Sequence, residues 1–153
     1  MRKTVTTILC GSILSACTSA PVRYVAPEIS TSGLVRVIED ANAQRRAFGL
    51  QPLAAGQQAE RAALRAATDM ALHGTFSHTG TDGSSAAERL RDAGCSRALA
   101  ENIAKGKALN TGNIIQTWME SPGHRENILR PNLLWMGIAK VDDVWVMTLA
   151  ERC

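Results

Sequence analysis

A chain of 153 residues has the size of one domain, and with only 4% aromatic side chains its core must draw heavily on alanine and leucine. The formal charge of +3 falls to near +1 beyond the first sixteen residues, since Arg2 and Lys3 lie there and 15 of the 17 basic side chains remain against all 14 acidic ones. No long basic stripe and no interleaved aromatic platform is present, so composition gives no support to a nucleic-acid partner.

The N-terminus begins with the basic MRK and continues into TVTTILCGSIL, a short, mostly apolar stretch. A bilayer-spanning helix needs about 20 apolar residues, so residues 1–16 read as a secretion leader. The following LSAC resembles the lipobox of bacterial lipoproteins, with Leu14, Ser15, Ala16 and the acceptor Cys17. That resemblance implies cleavage before Cys17, a diacylglycerol on its thiol and an acyl chain such as palmitate on the new amine. One acyl chain binds a membrane marginally, whereas two or more give a stable anchor. Thr18, where aspartate could stand, resembles the signal for outer-membrane delivery in bacteria with two membranes. The alternative is a plain signal peptide in which Cys17 is accidental. TSAPVRYVAPEI then reads as a tether over residues 17–29, leaving 30–153 for the globular domain.

Within the domain, GLVRVIEDANAQRRAFG places Leu34, Val37, Ile38, Ala41 and Phe48 near one helical face, with Ser32 as N-cap and Gly49 as stop. GLQPLA is a turn. QQAERAALRAATDMALHG predicts an alanine-rich second helix that ends at Gly74 and whose small face allows a neighbour to approach closely. The polar loop FSHTGTDG follows, with Asp82-Gly83 as a tight turn. Ser85 and Glu88 match a capping box for a third helix that Gly94 terminates. GNIIQTWME is a fourth, short helix. Ser121-Pro122 opens a fifth, with Ser121 as N-cap, Pro122 at the first helical position and His124 in the first turn, and Pro131 stops it. MGIAKV and VWVMTLAE flank Asp142-Asp143 and predict a β-hairpin. Helices followed by strands indicate an α+β or layered α/β/α domain.

Of four cysteines, Cys10 leaves with the leader and Cys17 takes the lipid. Cys95 and Cys153 remain, an even pair in an exported chain. A bridge between them closes a loop of about 60 residues, for which chain entropy suggests roughly 4 kcal/mol. The alternative is two unpaired buried thiols. No Cys-x-x-Cys accompanies them, which argues against a metal site built on cysteine.

Taken together, Asn42-x-x-Arg45, Gly49-Leu50-x-Pro52-Leu53, FSHTGTDGSSAAERL, AENIAKG, WMESPGHRENIL, MGIAK and VWVMTLAE resemble, in this order and with these gaps, a bacterial member of the CAP superfamily, also called the SCP domain. The resemblance spans nearly the whole domain. It implies an α-β-α sandwich with a central antiparallel sheet, including strands that periodicity alone does not place.

Two histidines in turn-rich stretches, His78 and His124, stand 23 residues to either side of Glu101. Spacing does not show that they converge. The resemblance implies it: the family's cleft carries two histidines, matched by His78 and His124, and a glutamate of the ENI motif, matched by Glu101. A second glutamate of eukaryotic members falls here on Ser121. Glu120 is one residue early, a rotation of about 100° on a helix, so Glu120 or Glu126 substitutes only if the local turn differs. Two imidazoles and a carboxylate suit zinc or another divalent ion completed by water, and equally form a hydrogen-bonded polar cluster without metal. No organic cofactor is expected.

Other groups have plainer readings. Ser77, Ser84 and Ser121 lack the Gly-x-Ser-x-Gly elbow of a hydrolase. Trp118 and Trp135 could line a groove but more often fill a core. Asn42 and Arg45, one turn apart, brace the fold, and Asn127 serves backbone groups near the cleft. Two function classes follow. One is a binding or scaffold module tethered to the bacterial envelope, with a polysaccharide, lipid or protein ligand. The other is a metal-dependent hydrolase of peptide or envelope polymer, with Glu101 and His124 as candidate catalytic residues and Glu101 as general base or zinc ligand.

Overall fold

The computed structural model describes residues 29–97 and 99–153. The expected leader, the expected lipid acceptor Cys17 and nearly all of the expected tether lie outside the described residues. The elements in chain order are α1 (Thr31–Ala47), β1 (Ala54–Ala55), α2 (Gln57–His73), α3 (Ala86–Asp92), β2 (Ala100–Lys105), α4 (Ile114–Met119), α5 (Pro122–Ile128), β3 (Trp135–Val141) and β4 (Val144–Ala150).

The strands form one sheet in the order β1-β3-β4-β2. β3 and β4 make the predicted hairpin, its two-residue turn holding Asp142 at a positive φ of 52°. Aspartate tolerates that conformation better than most residues. β4 is buried along its whole length, which accounts for the unbroken apolar run VWVMTLA. β2 pairs antiparallel with β4 and forms one edge. The two-residue β1 forms the other edge, parallel to β3. Sequence periodicity predicts neither edge strand. AENIAKG reads as a junction because Glu101 and Asn102 break the apolar pattern, and β1 is too short to have a period.

Helices cover both faces, giving the α-β-α sandwich. Met136, Ile138, Trp145, Met147 and Leu149 pack against Val37 and Ala41 of α1, Ile114 and Trp118 of α4, and Ile128 of α5. The opposite face packs Ala139, Val141, Val144 and Val146 against Ala63, Ala66, Ala67 and Met70 of α2. The alanine face of α2 permits the close approach that its composition predicts. A Cβ on Gly137 would lie 2.1 Å from the backbone of Ala59 and of Glu60, so only glycine fits there. Beside it the buried Thr148 hydroxyl donates to the Ala59 carbonyl at 2.7 Å.

Three local readings change. Ser30 rather than Ser32 caps α1, accepting from Gly33 N–H at 3.1 Å, so the helix starts two residues early. Ser121 holds the N-cap position of α5, but its side chain makes no cap hydrogen bond. Trp118 is core, as expected, whereas Trp135 is half-buried and lies against Gly56. The capping box of α3 forms as read, Ser85 Oγ accepting from Glu88 N–H while the Glu88 carboxylate accepts from Ser85 N–H. Cys95 and Cys153 are joined in a disulfide. An antiparallel bridge between Ser96 and Arg152 lies next to it, so the chain after α3 is tied to the end of β4. Among the described residues, no helix is long and apolar enough to cross a membrane.

Candidate functional site

The candidate site forms along edge strand β2, whose consecutive side chains point to opposite faces. Glu101 lies on the α2–α3 side, paired across the sheet with Thr148. Its carboxylate is 1% exposed and has two partners. His78, from the loop between α2 and α3, meets Oε1 through Nδ1 at 2.9 Å. Arg89 of α3 reaches both oxygens through Nη2, at 3.1 Å to Oε1 and 2.8 Å to Oε2.

A carboxylate flanked by a guanidinium only accepts, so His78 donates from Nδ1 and keeps Nε2 without a partner among the described residues. The imidazole is about half exposed, at 54%, which leaves that nitrogen accessible from outside.

Asn102, on the other face, turns toward α5. Its amide donates to the His124 carbonyl at 3.0 Å and its oxygen accepts from Asn127 Nδ2 at 2.9 Å. Asn127 also donates to the Glu101 carbonyl at 3.3 Å, serving an edge-strand backbone group as expected, and accepts from Arg130 at 3.1 Å. The strand therefore fixes the start of α5 and, with it, His124. At the far end of α5, the fully buried Arg45 donates to the carbonyls of Ile128 and Arg130 at 2.7 and 2.9 Å. Arg45 also reaches the carbonyls of Gln51 and Leu133, while Asn42 pairs with the backbone of Leu53 in both directions. Asn42 and Arg45 thus brace the fold by holding separate loops.

Burial lowers the pKa of His124, and the positive charge available to His78 lowers it further. Burial disfavours the cation because an imidazolium loses solvation that nothing nearby replaces. Burial therefore favours the neutral ring.

The loop that carries His78 is itself tied down. Thr81 donates to Asp69 through its backbone and its hydroxyl, and those bonds bring the Asp69 carboxyl below its ordinary pKa although burial pushes it up. Asp82 accepts from Ser84 and from Arg65, which hold its carboxyl well below the usual range. Arg89 donates to the carbonyls of His78 and Ser84 at 3.0 and 2.8 Å. Its Nε is buried without a partner among the described residues, and the side chain lines a cavity of about 60 Å³ with Arg65, Asp69, Ser77, Asp82 and Ser84.

Glu101 and His78 are in direct contact, and His124 lies close enough to respond to the charge of His78. Glu120 and Glu126 are exposed and make no hydrogen bond to these three, Glu120 accepting instead from Gln116. Among the described residues, no group of three or more His, Cys, Asp and Glu side chains is arranged to hold a metal ion. A divalent ion on Glu101 would stand beside the Arg89 guanidinium. Sequence reasoning assigns Arg89 no role. Its signal is positional: with Ala86, Leu90 and Ala93 it falls on the apolar stripe of α3, where a charge must find a partner.

The family profile of the Cysteine-rich secretory protein family, CAP, matches residues 38–146. The chain belongs to this family. A Bacillus subtilis (strain 168) protein, YkwD, is 33% identical over 131 residues, covering 84% of this chain and 48% of its own length, so the chain spans about half of that relative. In fold, the CAP chain is similar to an extracellular SCP-domain protein of Bacillus anthracis, with a TM-score of 0.72, 24% identity, and coverage of 79% of this chain and 41% of the other. An outer surface protein of Borrelia burgdorferi also has a TM-score of 0.72, at 17% identity, with 84% of this chain and 98% of the other covered.

Proposed function

We propose that this CAP domain is a binding module tethered to the outer face of a bacterial envelope membrane through lipid on Cys17, and that its cleft recognises an uncharged polar polymer, such as an envelope polysaccharide. The observation that carries this reading is the engagement of both Glu101 oxygens by Arg89 and His78. A general base needs a carboxylate lone pair turned to the substrate, and here that carboxylate is buried and occupied. The cleft's negative charge is balanced internally and His124 is neutral. What remains for a ligand is imidazole hydrogen bonding, which suits hydroxyl and amide groups better than phosphates. The LSAC motif supports the tether, and the extracellular and outer-surface relatives support the location.

Sedimentation with purified, protein-free envelope polysaccharide tests the reading. The chain is expected to co-sediment, to lose most binding in His78→Ala and His124→Ala, and to release no soluble fragments. Release that depends on Glu101 and His124 would make the protein a hydrolase instead. For the tether, Cys17→Ser is expected to leave an uncleaved precursor without the acyl mass, read by intact-mass measurement. A normally cut, soluble Cys17→Ser protein would point to a plain signal peptide.

A further inference from the structure

We propose that Arg89 is the permanent counter-ion of Glu101 in the position a metal ion would otherwise take. The pair is a fixed internal salt bridge between α3 and β2 that withholds Glu101 from metal ligation and from proton transfer. Both side chains are almost wholly buried, at 3% and 1% exposed, and Nη2 contacts both carboxylate oxygens. The guanidinium cannot swing aside cheaply, because it also donates to the His78 and Ser84 carbonyls and so holds the loop that supplies His78. Its helix is anchored at both ends, by the Ser85–Glu88 capping box and by the Cys95–Cys153 disulfide just beyond it. A divalent ion on Glu101 would stand within a few ångströms of a buried cation, where Coulomb repulsion is weakly screened. The residual negative charge that would attract such an ion is already neutralised.

This inference rests on the same Arg89–Glu101 pairing as the proposed binding role, but the two experiments fail separately: loss of co-sedimentation leaves the zinc titration unchanged, and zinc binding at Glu101 leaves co-sedimentation unchanged. The test is calorimetric titration of the full-length chain with Zn²⁺ alone. Wild type and Glu101→Gln are expected to give the same heats. Arg89→Met, with the carboxylate released, is expected to bind Zn²⁺ at least ten-fold more tightly than wild type, and the Arg89→Met/Glu101→Gln double variant is expected to lose that gain. Wild-type zinc binding that weakens ten-fold in Glu101→Gln would overturn the proposal, as would a folded Arg89→Met with no gain. A measurement on wild type alone covers the case of variants that do not fold. With ¹³C-labelled glutamate, the Glu101 carboxylate signal is expected to stay in place as Zn²⁺ is added, and a saturable shift of that signal would overturn the assignment.

Discussion

Among the described residues two arginines are buried, and their surroundings solve the problem of a buried cation differently. Arg45 meets four backbone carbonyls and no carboxylate, and burial lowers its pKa. Its task is to hold the loop before β1 and the chain after α5, which have no secondary structure to satisfy their carbonyls. Arg89 meets two carbonyls and one carboxylate, and through them joins a loop, a helix and an edge strand. Neutral carbonyls suffice where only the fold is at stake. A full counter-charge appears where the arginine also positions a histidine. The first region is a brace and the second is a brace with a site built on it.

The contrast predicts different responses to mutation, the largest at the brace. Arg45→Met strands four carbonyls at once, and at 1–3 kcal/mol for each buried unsatisfied group the loss should be about 4 kcal/mol or more. Urea melts should show this, and no single second substitution should restore it, since the partners are backbone. Arg89→Met should cost about 3–5 kcal/mol, the usual penalty for leaving a buried charge alone. Arg89→Met/Glu101→Leu should recover most of that loss, because removing both charges removes the penalty. A double variant no more stable than the single one would break the comparison.

Smaller changes sharpen it. Cys153→Ser should cost up to about 4 kcal/mol, the chain-entropy value for this loop, by freeing the chain after α3. Amide exchange should quicken around Leu90 and Cys95 while the backbone near Leu53, held by Asn42, keeps its protection. Ser85→Ala should cost about 1 kcal/mol by removing the cap of the helix that carries Arg89. Its effect should appear in histidine-dependent ligand binding as well as in stability, whereas loosening the Arg45 region should affect stability alone.

The smallest effect concerns pH. The folded pKa of His124 lies below its ordinary value, so the unfolded chain takes up a proton more readily than the folded one. The His124 contribution to stability is therefore complete above about pH 6.5, the ordinary histidine value. It is lost progressively as pH falls from there through the lowered folded value. Melts of wild type and His124→Gln between pH 7.5 and pH 5 should show the wild type losing more stability on acidification. Parallel losses would show that His124 does not titrate with folding.

The helices of this fold are legible in the sequence because their signals are local: the Ser85–Glu88 capping box, the Ser121-Pro122 start, the glycines after α2 and α3. The hairpin is legible from its period and its two-residue turn. β2 is not, because each of its faces carries a buried polar residue: Glu101 on one and Asn102 on the other have partners far away in sequence, and no local rule distinguishes that from a loop. For the same reason the site is only half legible. The family resemblance picks out His78, Glu101 and His124, but the pairing that determines what Glu101 can do comes from Arg89 across a tertiary contact. Asn42 and Arg45 show the converse. They are readable as braces from their types, while the carbonyls they brace are not.

The central claim is that Glu101 belongs to Arg89 and not to a metal or a substrate. A crystal structure of the protein grown with Zn²⁺ and measured at the zinc absorption edge tests it most directly. The account predicts Arg89 within hydrogen-bond distance of both Glu101 oxygens and no anomalous peak at that carboxylate. A zinc peak at ligand distance from Glu101, with Arg89 turned away, would contradict it.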